Sequence, residues 1–367
     1  MSTFRELGVP QQLAAALEKR GIKEPTPIQE AFIPAAGGGE NLVGAAPTGT
    51  GKTFAYLLPS RTRIDMNLRA VQLLILAPTH ELAVQIADAA RTLVQAAELP
   101  LTVQALIGGA NIKRQIEGLK KKPQIVVGSA ARILELSRIG KLRLSDVQIL
   151  VLDEFDRLLG KQLADDVRAV IRLLPQNRQA LLLSATAPTA AIRAADGLFA
   201  PRIIRVEDAQ TTCENYYHRA AFRDKIKAVQ KLTRRLPIRR GIVFVGRGFD
   251  AERAVEKLRY EGIRAVSLLG QERRDRRRAA LDAIRAGRAE LLIATDLAAR
   301  GLDIEDVDYV VNVDLPEDVR TYRHRAGRTA RAGKSGAVVT LADDKEMARL
   351  KELAARMELE LKTLPAK

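Results

Sequence analysis

Residues 40–206 alternate short β-branched or leucine-rich runs with stretches of helical period, and this alternation limits the fold more than any single residue does. The runs predicted as strands are 42–45, 72–77, 102–107, 124–128, 148–153, 180–184 and 202–206, with helical patterns such as 81–97 and 163–174 between them. A continuous apolar run is buried on both faces, and a helix between two such runs is a crossover, so the pattern implies a parallel sheet in an α/β domain. A polar stretch at 207–212 follows, and the alternation then resumes with strands near 216–220, 241–245, 265–268, 290–294, 309–313 and 337–341. The helical patterns between these include 250–261 and 271–286. A chain of 367 residues exceeds the size at which one core stops growing, about 250–300 residues. Two α/β domains are therefore expected, residues 1–208 and 214–367, joined by a short linker at 209–213.

The first predicted strand runs into Gly44-Ala-Ala-Pro-Thr-Gly-Thr-Gly-Lys-Thr53, and an apolar helical pattern begins at Phe54. A strand, a glycine-rich turn and a helix start make a phosphate cradle. Backbone N–H groups point at the anion with no side chains in the way, and the helix dipole favours negative charge there. In this pattern Lys52 reaches the β- and γ-phosphates and the Thr53 hydroxyl faces Mg²⁺. The usual first glycine of the pattern is Ala46 here. The second half has no such loop, although Phe244-Val-Gly-Arg-Gly248 sits at what reads as the equivalent strand-to-helix turn.

Two carboxylates, Asp153 and Glu154, end an apolar strand about a hundred residues after the loop. In phosphate-loop enzymes such an Asp holds the metal and a neighbouring Glu takes a proton from the attacking water. Taken alone, they read equally as a solvated strand end. Ser184-Ala-Thr186 adds hydroxyls after the next strand, at the edge where α/β sheets bind ligands. The second half supplies His324-Arg325-Ala-Gly-Arg328-Thr-Ala-Arg331, whose guanidinium groups suit developing phosphoryl charge. A solvated basic helix face is the competing reading.

A net charge of +16 points to a polyanionic partner, and residues 211–367 carry more of the excess than the longer first part. Aromatic residues are only 4% of the chain and Trp is absent, too few for stacking successive bases. A nucleic acid would therefore be held mainly by its sugar–phosphate backbone, with little sequence specificity. No run approaches the ~20 apolar residues of a membrane span, and the N-terminus lacks a signal pattern. The single Cys213 excludes an internal disulfide and fits a reducing cytoplasm.

Taken in order, the motifs resemble those of the DEAD-box helicases of superfamily 2 along essentially the whole chain. They are Phe4 upstream of Gly21; Pro25-Thr-Pro-Ile-Gln29; Ala46–Thr53; Pro78-Thr-His-Glu-Leu82; Gly108-Gly109; and Gly128-Ser-Ala-Ala-Arg132. Next come Asp153-Glu-Phe-Asp156 and Ser184-Ala-Thr186. The second half adds Gln271 with Arg274, Ala294-Thr-Asp-Leu-Ala-Ala-Arg-Gly-Leu-Asp303, and Tyr322 through Arg331. The resemblance implies two tandem RecA-like domains, each a parallel sheet flanked by helices, and an RNA-stimulated ATPase that unwinds or remodels RNA locally and non-processively.

It also implies roles. Gln29 reads the adenine edge with Phe4 packed on the base. Ala46, Pro47, Thr48, Gly49, Thr50, Gly51, Lys52 and Thr53 hold the phosphates, and Thr53 and Asp153 hold Mg²⁺. Glu154 activates water, and Gly301 and Asp303 meet the nucleotide from the second domain. Arg328 and Arg331 complete the ATP site when the domains close. Asp156, Ser184, Thr186 and His324 couple ATP state to domain contact. RNA contacts fall to Pro78, Thr79, Gly108, Gly109, Ser129 and Arg132, and in the second domain to Gln271, Arg274, Thr295 and Arg300.

Three positions depart from the family pattern. Phe155 stands for a small residue, His80 for the usual Arg, and GSAAR for TPGR, so a weakened RNA grip with intact ATP chemistry is expected. An ATP-dependent RNA clamp with little unwinding is the second reading, and a DNA-directed translocase the third. No appended targeting domain is visible after the last helical pattern. Choice of RNA is expected to come from partners such as ribosomal or RNA-decay proteins, or from an extension beyond the given sequence, and the chain is expected to act as a monomer.

Overall fold

Strands whose side chains are all apolar need cover on both faces, and the chain supplies it by returning through a helix after almost every strand. The computed structural model describes residues 2–47, 49–185, 187–206, 213–246, 249–269, 274–299, 304, 307–330 and 335–364; for Arg274, Leu297 and Arg320 it describes the backbone alone. The chain forms two compact units, Met1–Asp208 and Ala209–Lys367.

The first unit opens with α1 (Gln11–Glu18) and α2 (Pro27–Gly37), then β1 (Leu42–Ala45), α3 (Lys52–Thr62), β2 (Leu73–Leu76) and α4 (His80–Ala96). It continues with β3 (Val103–Leu106), α5 (Ile112–Lys120), β4 (Ile125–Gly128), α6 (Ala130–Arg138), β5 (Ile149–Asp153) and α7 (Phe155–Leu158). α8 (Ala164–Arg172), β6 (Gln179–Ser184), α9 (Thr189–Phe199) and β7 (Arg202–Arg205) complete it.

The second unit runs β8 (Cys213–Arg219), a 3₁₀ turn (Phe222–Asp224), α10 (Lys225–Arg235), β9 (Gly241–Phe244), α11 (Ala251–Tyr260) and β10 (Ala265–Leu268). After these come α12 (Arg274–Arg285), β11 (Leu291–Ala294), α13 (Asp296–Ala299), β12 (Tyr309–Asn312) and α14 (Val319–Ala326). The last elements are β13 (Gly336–Ala342), α15 (Glu346–Arg356) and β14 (Lys362–Thr363). Each predicted strand is present with ends moved by a residue or so, except that β8 starts three residues before the predicted 216. The two-residue β14 is too short to show a periodicity. The linker expected at 209–213 lies almost wholly outside the described residues, and Cys213 already belongs to β8. Among the described residues no helix is long and apolar enough to cross a membrane.

Each unit is one seven-stranded sheet, ordered β3-β4-β2-β5-β6-β1-β7 in the first and β10-β11-β9-β12-β13-β8-β14 in the second. Every pairing is parallel. Alternate side chains go to opposite cores: Leu73, Ile75, Ile149 and Val151 pack on one face of the first sheet, Leu74, Leu76, Leu150 and Leu152 on the other. The second sheet divides in the same way, with Val243 and Ile293 opposite Ile242 and Leu292. With both faces covered, the edge at the strand C-terminal ends is where polar side chains gather.

The shared order corrects one sequence reading. β9 has the place of β2, so the turn after Phe244 corresponds to the one at Pro78-Thr79 and not to the phosphate loop. The counterpart of β1 is β8, and α10 is the counterpart of α3. Where α3 begins with Lys52, α10 begins with Lys225, but the second lysine is fully buried and committed to protein. Its ammonium donates to Val313 O at 2.7 Å and to both Glu346 carboxylate oxygens at 3.1 and 2.8 Å. The lysine that opens this helix is thus held by an ion pair, where Lys52 is held by loop carbonyl groups.

Removing the buried lysine leaves the Val313 carbonyl without its donor and the partly exposed Glu346 without its partner. Lys225→Ala is therefore expected to destabilise the second unit by about 3 kcal/mol. Arg202→Ala, which removes the exposed Arg202–Glu40 pair, should cost about 1 kcal/mol or less. Urea unfolding of the two variants checks the contrast.

Candidate functional site

The phosphate loop leaves β1 at Ala46, whose N–H donates to Ser184 O at 3.1 Å, so the loop is tied to the neighbouring β6. Gly49 and Gly51 adopt φ of 85° and 82°, conformations that a side chain would strain. A Cβ at Gly51 would also collide with the Gln29 carboxamide. Helix α2 grips the loop from outside. Thr26 Oγ1 donates to Thr50 O at 2.6 Å, and Gln29 Nε2 donates to Gly51 O at 3.0 Å. Gln29 Oε1 in turn accepts from Thr26 N at 2.9 Å, closing a capping box at the start of α2. Within the loop Thr50 Oγ1 donates to Pro47 O at 2.7 Å, and the Lys52 ammonium donates to Ala46 O and Pro47 O at 2.7 and 2.6 Å. The lysine therefore sits beside the start of α3, where backbone N–H groups lack intrahelical partners.

Asp153 ends β5, two strands away from β1. Tyr56 OH, one turn into α3, donates to Asp153 Oδ2 at 3.0 Å, and Glu154 N donates to Oδ1 at 2.9 Å. Burial, then the neighbouring Glu154 charge, push the Asp153 carboxyl up to about 6, against the pull of Lys52 and these two donors. The same burial and the Asp153 charge raise the Tyr56 phenol well above its ordinary range.

Glu154 takes a left-handed backbone, φ 53°, without being glycine, a strain of about 1–3 kcal/mol. It turns the chain off the strand end, and Arg157 Nη1 donates to its Oε2 at 3.0 Å. Phe155 is fully buried in the core on one face of the sheet, so the bulky residue at this place packs rather than facing the carboxylates. Asp156 Oδ1 accepts from Ser184 Oγ at 2.6 Å, both groups buried, which joins the ends of β5 and β6.

The residues predicted to meet RNA in the first unit follow β2, β3 and β4, the half of the sheet away from β6 and β1. Strand order alone therefore separates the two sets along one edge. Thr79 caps α4, its hydroxyl accepting from Leu82 N at 3.2 Å. The His80 ring lies against Gly108, where a Cβ would come within 2.9 Å of Nε2, and Gly109 has φ 69°. Ser129 is the cap residue of α6. Arg132 has a side chain only 10% exposed; its Nε pairs with Glu135 at 3.0 Å, while Nη1 is buried without a partner.

In the second unit Thr295 follows β11 and Arg274 opens α12, the corresponding half of that sheet. His324 and Arg328 line a cavity of about 10 Å³, room for one water, with Asp296, Thr321 and Arg325. Arg325 is bound bidentately to Asp296 at 2.8 and 2.7 Å and also donates to Asn312 and Asp314 O, so it is a structural guanidinium. Thr48, Thr186, Gln271, Arg300, Gly301, Asp303 and Arg331 lie outside the described residues, as does the Arg274 side chain.

Residues 26–194 match the DEAD/DEAH box helicase family and residues 224–333 the helicase conserved C-terminal domain. The chain is 38% identical over 348 residues to the DEAD-box ATP-dependent RNA helicase CshC of Bacillus cereus, covering 94% of this chain and 89% of that one. It is 37% identical to the CshA helicase of Geobacillus kaustophilus over 95% of this chain and 75% of the relative. The chain belongs to the DEAD/DEAH box helicase family. Its fold is similar to that of Saccharomyces cerevisiae Dbp5 bound to RNA and ADP BeF3, with a TM-score of 0.88 and 28% identity over 100% of this chain and 96% of that one. The tandem RecA-like architecture expected from the sequence is therefore that of the helicase family.

Two expected nucleotide contacts are more enclosed than the sequence suggested. Phe4 is 3% exposed within the core, and Gln29 is 2% exposed with its amide already bonded to the loop. The sequence reading missed Thr26, Tyr56, Arg157 and Arg325 as parts of these sites. Thr26 and Arg325 lie inside quoted motifs, Arg157 pairs with Glu154 three residues before it, and Tyr56 is read only from its contact across elements.

The raised Asp153 carboxyl has a signed consequence. Its folded value near 6 lies above the ordinary 3.8, so between these values the folded state binds the proton more tightly, and this group's contribution to stability falls as pH rises through that window. Ligand-free Asp153→Asn is expected to melt a few degrees above the unsubstituted protein at pH 8. The difference should vanish near pH 4, as thermal unfolding at the two values would reveal.

Proposed function

We propose that the protein is an ATP-dependent RNA helicase whose RNA-stimulated ATP hydrolysis drives local, non-processive unwinding or remodelling of RNA. The observation that carries this reading is the phosphate loop with its own helix hydrogen-bonded, through Tyr56, to the first of two carboxylates at the same sheet edge. The relatives named above are RNA helicases by name, which favours RNA over the DNA-directed reading.

Thr53 and Asp153 suit Mg²⁺, a hard cation that takes oxygen ligands and keeps several waters beside substrate phosphates. Among the described residues no group of three His, Cys, Asp or Glu side chains comes together as a cage, and a Mg²⁺ site shared with phosphates needs none. When bound, the ion would neutralise charge developing on the β- and γ-phosphate oxygens. The chain's own groups do the rest. Lys52 exchanges its loop carbonyls for phosphate oxygens, and Gln29 keeps one N–H and one lone pair for the adenine edge. Glu154, aimed by its left-handed backbone, orients and deprotonates the attacking water. Gly301 and Asp303 would meet the nucleotide from the second unit. Arg328 and Arg331 would supply the charge on the leaving side, so hydrolysis would need both units to close on one nucleotide. The Asp156–Ser184 bond, with Thr186 and His324, would report that closure.

RNA would lie along the other half of the edge, on Pro78-Thr79, Gly108-Gly109, Ser129 and Arg132, and on Gln271, Arg274, Thr295 and Arg300. Arg132 would reach a phosphate by turning its buried Nη1 outward. Each ligand that favours closure favours the other, because coupling free energy is reciprocal. We include in the proposal a linker at 209–212, a monomeric cytoplasmic protein, and partners among ribosomal or RNA-decay factors.

ATP turnover by the purified protein is expected to rise at least ten-fold with saturating single-stranded RNA, within the size of typical couplings; no stimulation would sink the reading. Lys52→Ala should abolish turnover. Arg331→Ala should keep nucleotide binding and lose about 10³-fold in hydrolysis. Stimulated turnover without displacement of a short RNA duplex would instead indicate the clamp.

A further inference from the structure

The two residues assigned to Mg²⁺ come from different elements, Thr53 from the first turn of α3 and Asp153 from the end of β5. Their relative position depends on whatever joins those elements near the site. Tyr56 does so: it stands one turn after Thr53 on α3, is fully buried, and donates its phenolic proton to Asp153 Oδ2 at 3.0 Å. The other carboxylate oxygen is held by Glu154 N at 2.9 Å. Both oxygens of Asp153 thus have one fixed donor each, which sets the carboxylate plane and leaves each oxygen lone-pair capacity.

Nothing else about Tyr56 demands a hydroxyl. The ring packs in an apolar core with Phe32, Ala55 and Leu58, where a phenylalanine would serve. A buried hydroxyl costs free energy unless it is used, and here its use is Asp153.

We propose that Tyr56 is a positioning residue for the metal, acting through Asp153 to fix the carboxylate that receives Mg²⁺ with the nucleotide. The inference rests on the reading of this loop as a Mg²⁺–nucleotide site. It predicts a specific defect, because loss of an outer-shell partner weakens metal affinity by about 10–100-fold and leaves the apolar packing in place.

The test is Tyr56→Phe in the full chain, with folding checked by circular dichroism. Affinity for a fluorescent ADP is measured in EDTA and in saturating Mg²⁺, and Mn²⁺ binding to the ADP complex is followed by electron paramagnetic resonance. The expected result is unchanged ADP affinity in EDTA, an enhancement by Mg²⁺ reduced at least ten-fold, and weaker Mn²⁺ binding. An equal enhancement in both proteins overturns the proposal, as does a loss of ADP affinity of the same size with and without metal, which would mark Tyr56 as structural. If the unsubstituted protein gains nothing from Mg²⁺, the Mg²⁺–nucleotide reading fails first and the inference falls with it.

Discussion

Covering both faces of a parallel sheet leaves it one place for chemistry, and every polar group discussed above follows from that restriction. In each unit the strands are filled with Leu, Ile and Val on both sides. Side chains with charges to place are therefore found in the turns at the strand C-terminal ends. The order of strands then decides which turns are neighbours. β6 lies between β5 and β1, so Asp153, Ser184 and the phosphate loop stand together, while the turns after β2, β3 and β4 form a second group beside them. Two groups of turns on one edge, one proposed for nucleotide and one for RNA, need no further design than this order.

The two units show what the same scaffold does with and without a cradle. After β1 the chain spends glycines at positive φ on an open loop, with Lys52 held by carbonyl groups that a phosphate can replace. After β8 the connection is a short 3₁₀ turn, and Lys225 enters the interior to meet Glu346. A lysine at a helix start is common to both, so the residue alone does not make a phosphate site. The loop in front of it does.

Much of this was legible in the sequence, for physical reasons that differ by element. The strands were, because an apolar run of four to six residues between helical patterns has few other uses. The phosphate loop was, because glycines with Lys-Thr before a helix answer one electrostatic need. Lys225 was not, because a buried lysine at a helix start reads like a solvated one until Val313 and Glu346 are seen around it. The turn after Phe244 was misassigned, since glycine content suggested an equivalence that strand order contradicts. Tyr56 was hidden inside an apolar helix, where its ring obeys the core pattern and only its hydroxyl departs from it. Arg325 and Arg328 are three residues apart in a basic run, and composition cannot tell which is locked to Asp296.

The grip of α2 on the phosphate loop bears on where this domain starts. Thr26 and Gln29 hold the carbonyl groups of Thr50 and Gly51, and Gly51 cannot carry a side chain because Gln29 is packed against it. Every residue that would touch a phosphate lies after residue 45, yet the loop's shape is set by residues before 30. A fragment cut at the first strand would retain all the groups that bind the anion and lack the frame that aims them. The frame of the phosphate loop thus begins well before the loop itself, and the N-terminal helices belong to it as much as to the fold.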